Sequence, residues 1–160
     1  MSDVEETFPA EPALEFVFEA RVKVAPPIQM GEADGAQRRI IPIRGGPVDG
    51  PRLQGEVLDF GADWQAIRGD GLTNVLARYV IRAGDGTMIS VVNTGIRRAS
   101  EPVIRRLLAG EPVDPSLVYF RAAPVFEVGP GPHQWLGENL FITAGRRRPE
   151  SVELRFYLVR

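Results

Sequence analysis

Residues 73–95, Thr-Asn-Val-Leu-Ala-Arg-Tyr-Val-Ile-Arg-Ala-Gly-Asp-Gly-Thr-Met-Ile-Ser-Val-Val-Asn-Thr-Gly, read as two antiparallel strands joined by a tight turn. Apolar and β-branched runs flank Gly84-Asp85-Gly86, a sequence of hairpin-loop length whose glycines tolerate the backbone angles such a turn needs. Period two places Arg78 and Arg82 on one face and Tyr79 on the other.

The same alternation recurs upstream. From Leu14 to Val24, residues Leu14, Phe16, Phe18, Ala20, Val22 and Val24 share one face, and Glu15, Glu19, Arg21 and Lys23 share the other, which is the pattern of a half-buried strand. Pro26 and Pro27 end it. Short strands are expected at Arg39–Arg44, where Pro42 argues for an edge or a bulge, and at Arg52–Asp59, where Gly55 marks a bend or a close backbone approach. Downstream, Leu117–Val125, Gln134–Thr143 and Val152–Val159 complete the set, with turns at residues 129–132 and 144–149. One helix is expected at Glu101–Ala109, started by Ser100 and Pro102 and stopped by Gly110, with an apolar stripe of Val103, Leu107 and Leu108.

About eight to ten strands with one short helix make an all-β fold, a single antiparallel β-barrel, closed or nearly closed, with a sandwich as the competing architecture. At 160 residues the chain is long enough to build its own core, read here as residues 14–160, behind a loose acidic tail over residues 1–13.

Composition narrows the chemistry. There is no cysteine, which removes thiol catalysis and cysteine-based zinc or iron–sulfur sites, and His133 is the only histidine, which removes multi-histidine zinc sites. No metal site and no cofactor are expected. A formal charge of −2 gives no large field for nucleic acid or an anionic membrane. The N-terminus lacks the basic start and apolar run of a secretory signal, and no stretch nears the roughly 20 apolar residues that cross a bilayer, so the reading is cytoplasmic. Eighteen of the 19 basic residues are arginine, scattered along the chain.

Seven glycines crowd residues 45–71 around Asp63-Trp64, which reads as a loop at a strand end, and a polar–aromatic pair among such turns is a candidate ligand contact. Gly45-Gly46 lacks the Lys-Ser/Thr ending of a phosphate loop. Asp70 and Asp85, each before glycine, read as turn formers. Tyr79, Asn93, Tyr119, Arg121, Trp135 and Asn139 lie on different strands that a closed sheet could bring to one lumen, and an arginine among aromatics and amides suits a carboxylate, phenolate or enolate. His133 sits in a proline–glycine turn beside Trp135, and Arg146, Arg147 and Arg148 read as a solvated hairpin tip.

Gly45-Gly46, Gly50-Pro51, Gly55, Gly61-Ala62-Asp63-Trp64 and Asp70-Gly71, followed by Ala77 to Tyr79, Asp85-Gly86, Asn93 to Gly95, Tyr119-Phe120-Arg121, Phe126 and Trp135-Leu136, form an ordered set. In that set the chain resembles a family of small bacterial and fungal proteins known as domain of unknown function 3237. The resemblance runs from about Leu14 to the C-terminus. It implies one antiparallel barrel with a central cavity, usually in a homo-oligomer.

The functional expectation is a cofactor-free enzyme acting by proton transfer on a small carbonyl-bearing or aromatic metabolite, as an isomerase, cyclase, lyase or hydrolase. Asp63 is the expected acid or base, with Arg121 and Tyr79 as its catalytic partners. Trp64, Asn93, Tyr119, Trp135, Asn139 and His133 are the expected substrate contacts. The alternatives are a barrel that binds a small molecule without reaction, and a structural homo-oligomeric module.

Overall fold

Ten strands are laid down in the order β1 (Leu14–Val24), β2 (Ile28–Ala33), β3 (Ala36–Asp49), β4 (Gly55–Val57), β5 (Ala62–Ile67), β6 (Leu72–Ala83), β7 (Met88–Arg98), β8 (Tyr119–Glu127), β9 (Phe141–Arg147) and β10 (Ser151–Val159). The helix α1 (Glu101–Leu108) follows β7, and 3-10 turns occupy Pro115–Leu117 and Gln134–Gly137. The computed structural model describes residues 8–160, so the acidic tail expected over residues 1–13 lies, for residues 1–7, outside the described residues.

All pairings are antiparallel, and they close on themselves. β3 is bent. Its second half pairs β1 and β4, and its first half pairs β2 and β5. β4 and β5 together fill one barrel position between β3 and β6, and the β1–β3 ladder joins the two ends of the sheet, giving a closed eight-strand barrel. Pro42 sits where the chain tolerates it. The neighbouring Ile43 N–H donates to Gly61 O on the β5 side, so the missing N–H of Pro42 falls on the opposite side, at the gap between β1 and β2.

The alternation expected for β1 is correct from Phe18 to Val24 and reverses before it. A bulge between Phe16 and Phe18 buries Val17 and Phe18 in succession, which turns Leu14 and Phe16 outward. Other segments also differ from the expectation: β2 is an additional strand, and the strand expected over Arg52–Asp59 is confined to Gly55–Val57. Asp63 and Trp64 belong to strand β5 rather than a loop. The strand expected over Gln134–Thr143 begins only at Phe141, because residues 134–137 turn to drop Leu136 into the barrel end. β9 then continues to Arg147, leaving a tight turn in which Arg148 N–H donates to Ser151 O. In α1 the buried residue is Ile104, between half-buried Val103 and Leu107, and the Ser100 hydroxyl makes no cap hydrogen bond.

The interior divides into two halves. Toward the β6–β7 turn it is apolar: Phe18 stacks on Phe156 at 4.3 Å, and Phe126 meets Phe141 edge-on at 5.0 Å. Each such pair adds about 0.5–1.5 kcal/mol beyond the area it buries. Leu136 and Trp135 plug this end. Toward the opposite end, inward positions of five strands carry polar side chains.

Candidate active site in the barrel lumen

Register builds the polar end. On β5, Asp63 and Gln65 are two residues apart and share a face; Gln65 lies opposite Arg39 of β3 and Asp63 lies opposite Ile41. Across β6, Asp63 faces Ala77, which in turn pairs with Asn93 of β7, and Thr73 pairs with Arg97. Tyr79 points inward from β6 and Arg147 from β9. Val22, Val24, Ile41, Ile43, Val75, Phe120, Val152 and Leu154 supply apolar walls around a free space of about 50 Å³. That is room for about four waters.

Gly95 separates Asn93 from Arg97 on the inner face of β7. A methyl group there would stand 2.2 Å from the Arg121 carbonyl oxygen on β8, so only glycine permits this pairing, and its bareness keeps the wall open between the two polar side chains.

The polar groups are only partly satisfied. Arg39 Nε donates to Gln65 Oε1 at 2.8 Å, Gln65 Nε2 donates to Asp63 Oδ2 at 2.7 Å, and Leu76 N–H donates to Asp63 Oδ1 at 3.2 Å. Among the described residues no arginine comes within ion-pair distance of Asp63. Burial therefore pushes the Asp63 carboxyl above the usual carboxylate range, although Gln65, Arg97, Leu76 and Arg39 all pull it back. Burial likewise lowers Arg39 and Arg97, each to about 10, with mutual repulsion among Arg39, Arg97 and Arg147 adding to it; all remain charged at neutral pH. The Tyr79 phenol is held neutral, raised first by burial and also by the Asp63 charge, against the Asn93 amide beside it. The Nε and Nη2 atoms of Arg97, the Tyr79 hydroxyl, Asn93 Oδ1 and Thr73 Oγ1 are buried without a hydrogen-bond partner. Such groups are rare and costly unless something else meets them.

A raised carboxyl has a measurable consequence. The native state holds the Asp63 proton more tightly than the unfolded chain does, so wild-type stability should fall as pH rises from the ordinary carboxylate value through the raised native one. Urea unfolding at stepped pH should show this slope in the wild type and its loss in Asp63→Asn. Parallel curves for the two proteins would mean that Asp63 titrates normally.

Of the residues expected from sequence, the structure brings Asp63, Tyr79 and Asn93 into one lumen. Trp64, next to Asp63 on a strand, alternates outward and is 41 % exposed. Tyr119 and Arg121 do share a face of β8, and it is the outer one, because Phe120 and Ala122 take the inner positions. There Arg121 donates to the Phe120 carbonyl at 3.0 Å and lies over the Tyr119 ring. Trp135, His133 and Asn139 lie at the apolar end: Arg52 covers the Trp135 ring at 4.0 Å, His133 Nε2 meets Asp85 Oδ2 at 2.9 Å, and Asn139 Nδ2 donates to Trp135 O.

The residues that sequence reading missed are Arg39, Gln65, Thr73, Arg97 and Arg147. Their signal was period two. Gln65 is two residues from Asp63, Arg97 is four from Asn93, and Arg39 precedes the inward pair Ile41 and Ile43. Arg147 was hidden inside a run of three arginines. Among the described residues no group of three histidine, aspartate or glutamate side chains could hold a metal ion, and no helix is long and apolar enough to cross a membrane.

Comparison with known proteins adds relatives. A "UPF0311 protein" from Rhodopseudomonas palustris is 41% identical over 150 residues, covering 92% of this chain and 98% of its own. The crystal structure of a conserved protein of unknown function from R. palustris superposes with a TM-score of 0.88 at 37% identity, covering 96% of this chain and all of the other. The crystal structure of an enzyme from Penicillium herquei has the same fold at 20% identity, with a TM-score of 0.71 over 96% of this chain and 98% of its own. A family model described as protein of unknown function (DUF3237) matches residues 12–159, which contain every strand of the barrel, and the chain belongs to that family.

Proposed function

We propose that the polar end of the lumen is the active site of a cofactor-free enzyme that moves a proton on a small carbonyl-bearing molecule. The observation that carries this reading is a buried carboxyl, held by Gln65 and the Leu76 N–H, lining a cavity where the Arg97 and Tyr79 donors stand unpaired; burial shifts its pKa upward. Asp63 would take a proton from the carbon beside the carbonyl. The electron pair of that bond becomes the new carbon–carbon π bond as the carbonyl π pair moves onto oxygen, and the resulting enolate oxygen would be met by the neutral Tyr79 hydroxyl, with the Arg97 charge nearby. Return of the proton at another carbon completes an isomerisation, and loss of a leaving group completes an elimination. Arg97 takes the part that sequence reading gave to Arg121, and Asn93 would help orient the substrate from β7.

A free space of about 50 Å³ favours a small carbonyl compound over an aromatic one. The non-catalytic reading has support of its own, since Gln65 occupies one oxygen of Asp63 and Leu76 the other. Deuterium exchange separates the two. Acetone and pyruvate in heavy water should exchange methyl protons faster with the protein than without it, and Asp63→Asn should remove the acceleration. Exchange at the uncatalysed rate for both probes leaves a binding barrel.

A further inference from the structure

Resting on the site just described, we propose that the lumen takes its ligand as a carboxylate, gripped side-on by the Nε and Nη2 edge of Arg97, with the organic remainder lying against the apolar wall. Arg97 is 1% exposed, and the two nitrogens without partners are Nε and Nη2. These lie on one edge of the guanidinium plane and present parallel N–H groups at the spacing of the two oxygens of a carboxylate. Thr73 Oγ1, whose residue pairs with Arg97 across the β6–β7 ladder, is likewise buried and unpartnered.

Charge points the same way. Three guanidiniums, Arg39, Arg97 and Arg147, act on one another and on a single carboxylate, Asp63. Three positive charges against one negative leave an excess of two. Unpaired buried charge is expensive, and an anion at Arg97 offsets part of that cost. An inorganic dianion would answer the charge equally well. It would make no use of Ile41, Val75 and Phe120, which line the same space and suit hydrocarbon.

The test is calorimetric binding of acetate and propanoate beside their neutral counterparts acetamide and propanamide, with inorganic phosphate as a third arm. The acids should bind at least tenfold more tightly than the amides. Arg97→Met should lose at least tenfold in affinity for the acids and little for the amides, and Arg97→Lys, which keeps the charge and loses the fork, should fall between. Asp63→Asn should keep or strengthen acid binding, because it removes the one opposing negative charge. Equal affinity for acids and amides, or acid binding that survives Arg97→Met, overturns the proposal, and so does phosphate binding more tightly than either acid. If Arg97→Met does not fold, the lysine variant and the acid-to-amide ratio still decide. The proton-transfer reading fails separately: Arg97-dependent acid binding with no Asp63-dependent exchange removes the reaction and leaves the carboxylate site, whereas acetone exchange without acid preference does the reverse.

Discussion

Asp63→Asn should lower catalysed proton exchange by about 10²–10⁴-fold, the usual contribution of a positioned acid–base group, while leaving the barrel intact. The replacement is isosteric. The Leu76 N–H, at 3.2 Å from Asp63, can still donate to the side-chain carbonyl oxygen, whereas the new NH₂ faces Gln65 Nε2, whose Oε1 already accepts from Arg39, so the 2.7 Å contact is lost and the backbone one stays. What disappears for catalysis is basicity. The loss should therefore appear in kcat with KM little changed, because a group that acts in the transition state and not in binding lowers kcat and kcat/KM together. The pH profile gives a second reading of the same residue. If Asp63 acts as base, wild-type activity rises with pH as the carboxyl ionises, and burial places that limb above the ordinary carboxylate range. A limb in the ordinary range, or an asparagine variant with wild-type kcat, would take Asp63 out of the mechanism. Trp64→Ala serves as the comparison, since its ring points away from the lumen and its loss should leave kcat within about twofold.

How much of this was legible in the sequence follows from what period two can and cannot state. It marks which residues share a face, and so β6, β7 and the Phe18–Val24 stretch were readable with their inner and outer sides. It does not say which face closes inward when both carry aromatic or charged groups. Tyr119 and Arg121 alternate with Phe120 and Ala122, and only the pairing of β8 with β7, where Ala122 meets Gly95 and Phe120 meets Arg97, decides the matter. Arg97 was harder still, because a fully buried arginine violates the ordinary expectation that charge faces water. A break in the local rule of this kind is expected where a site is functional rather than structural. β2 was a different kind of omission. Asp34-Gly35, both with positive φ, turns β2 into β3, and that dipeptide is itself a hairpin signal, masked by the two prolines that end the preceding strand. The bulge at Val17 and the 3-10 turn at Gln134–Gly137 carry no such local sign; they follow from filling the apolar end of the barrel with Phe18 and Leu136.

Gly46→Ala should cost more than about 4 kcal/mol, beyond the range of ordinary point substitutions. Gly46 has φ 152°, a conformation that residues with a side chain rarely adopt, and an added methyl carbon would stand 1.9 Å from the Arg21 carbonyl oxygen on β1. Backbone, unlike the end of a flexible side chain, cannot swing aside. Relief would require β1 to separate from β3 along the Glu19–Asp49 to Lys23–Gly45 ladder, which is the seam that closes the cylinder. Urea unfolding should show a large fall in midpoint, or no folded baseline. Gly69→Ala is the control: nothing lies within 4 Å of its added carbon and its φ is not positive, so it should stay within about 0.5 kcal/mol of wild type or gain slightly by restricting the unfolded chain. A Gly46→Ala midpoint equal to that of Gly69→Ala would mean that the seam tolerates a separation the close approach forbids. The effect should also reach the proposed carboxylate site. Val22 and Val24 on β1 and Ile41 and Ile43 on β3 form the lumen wall on either side of this seam. Any folded fraction of Gly46→Ala should therefore bind acetate more weakly than wild type, although the substitution touches neither Asp63 nor Arg97.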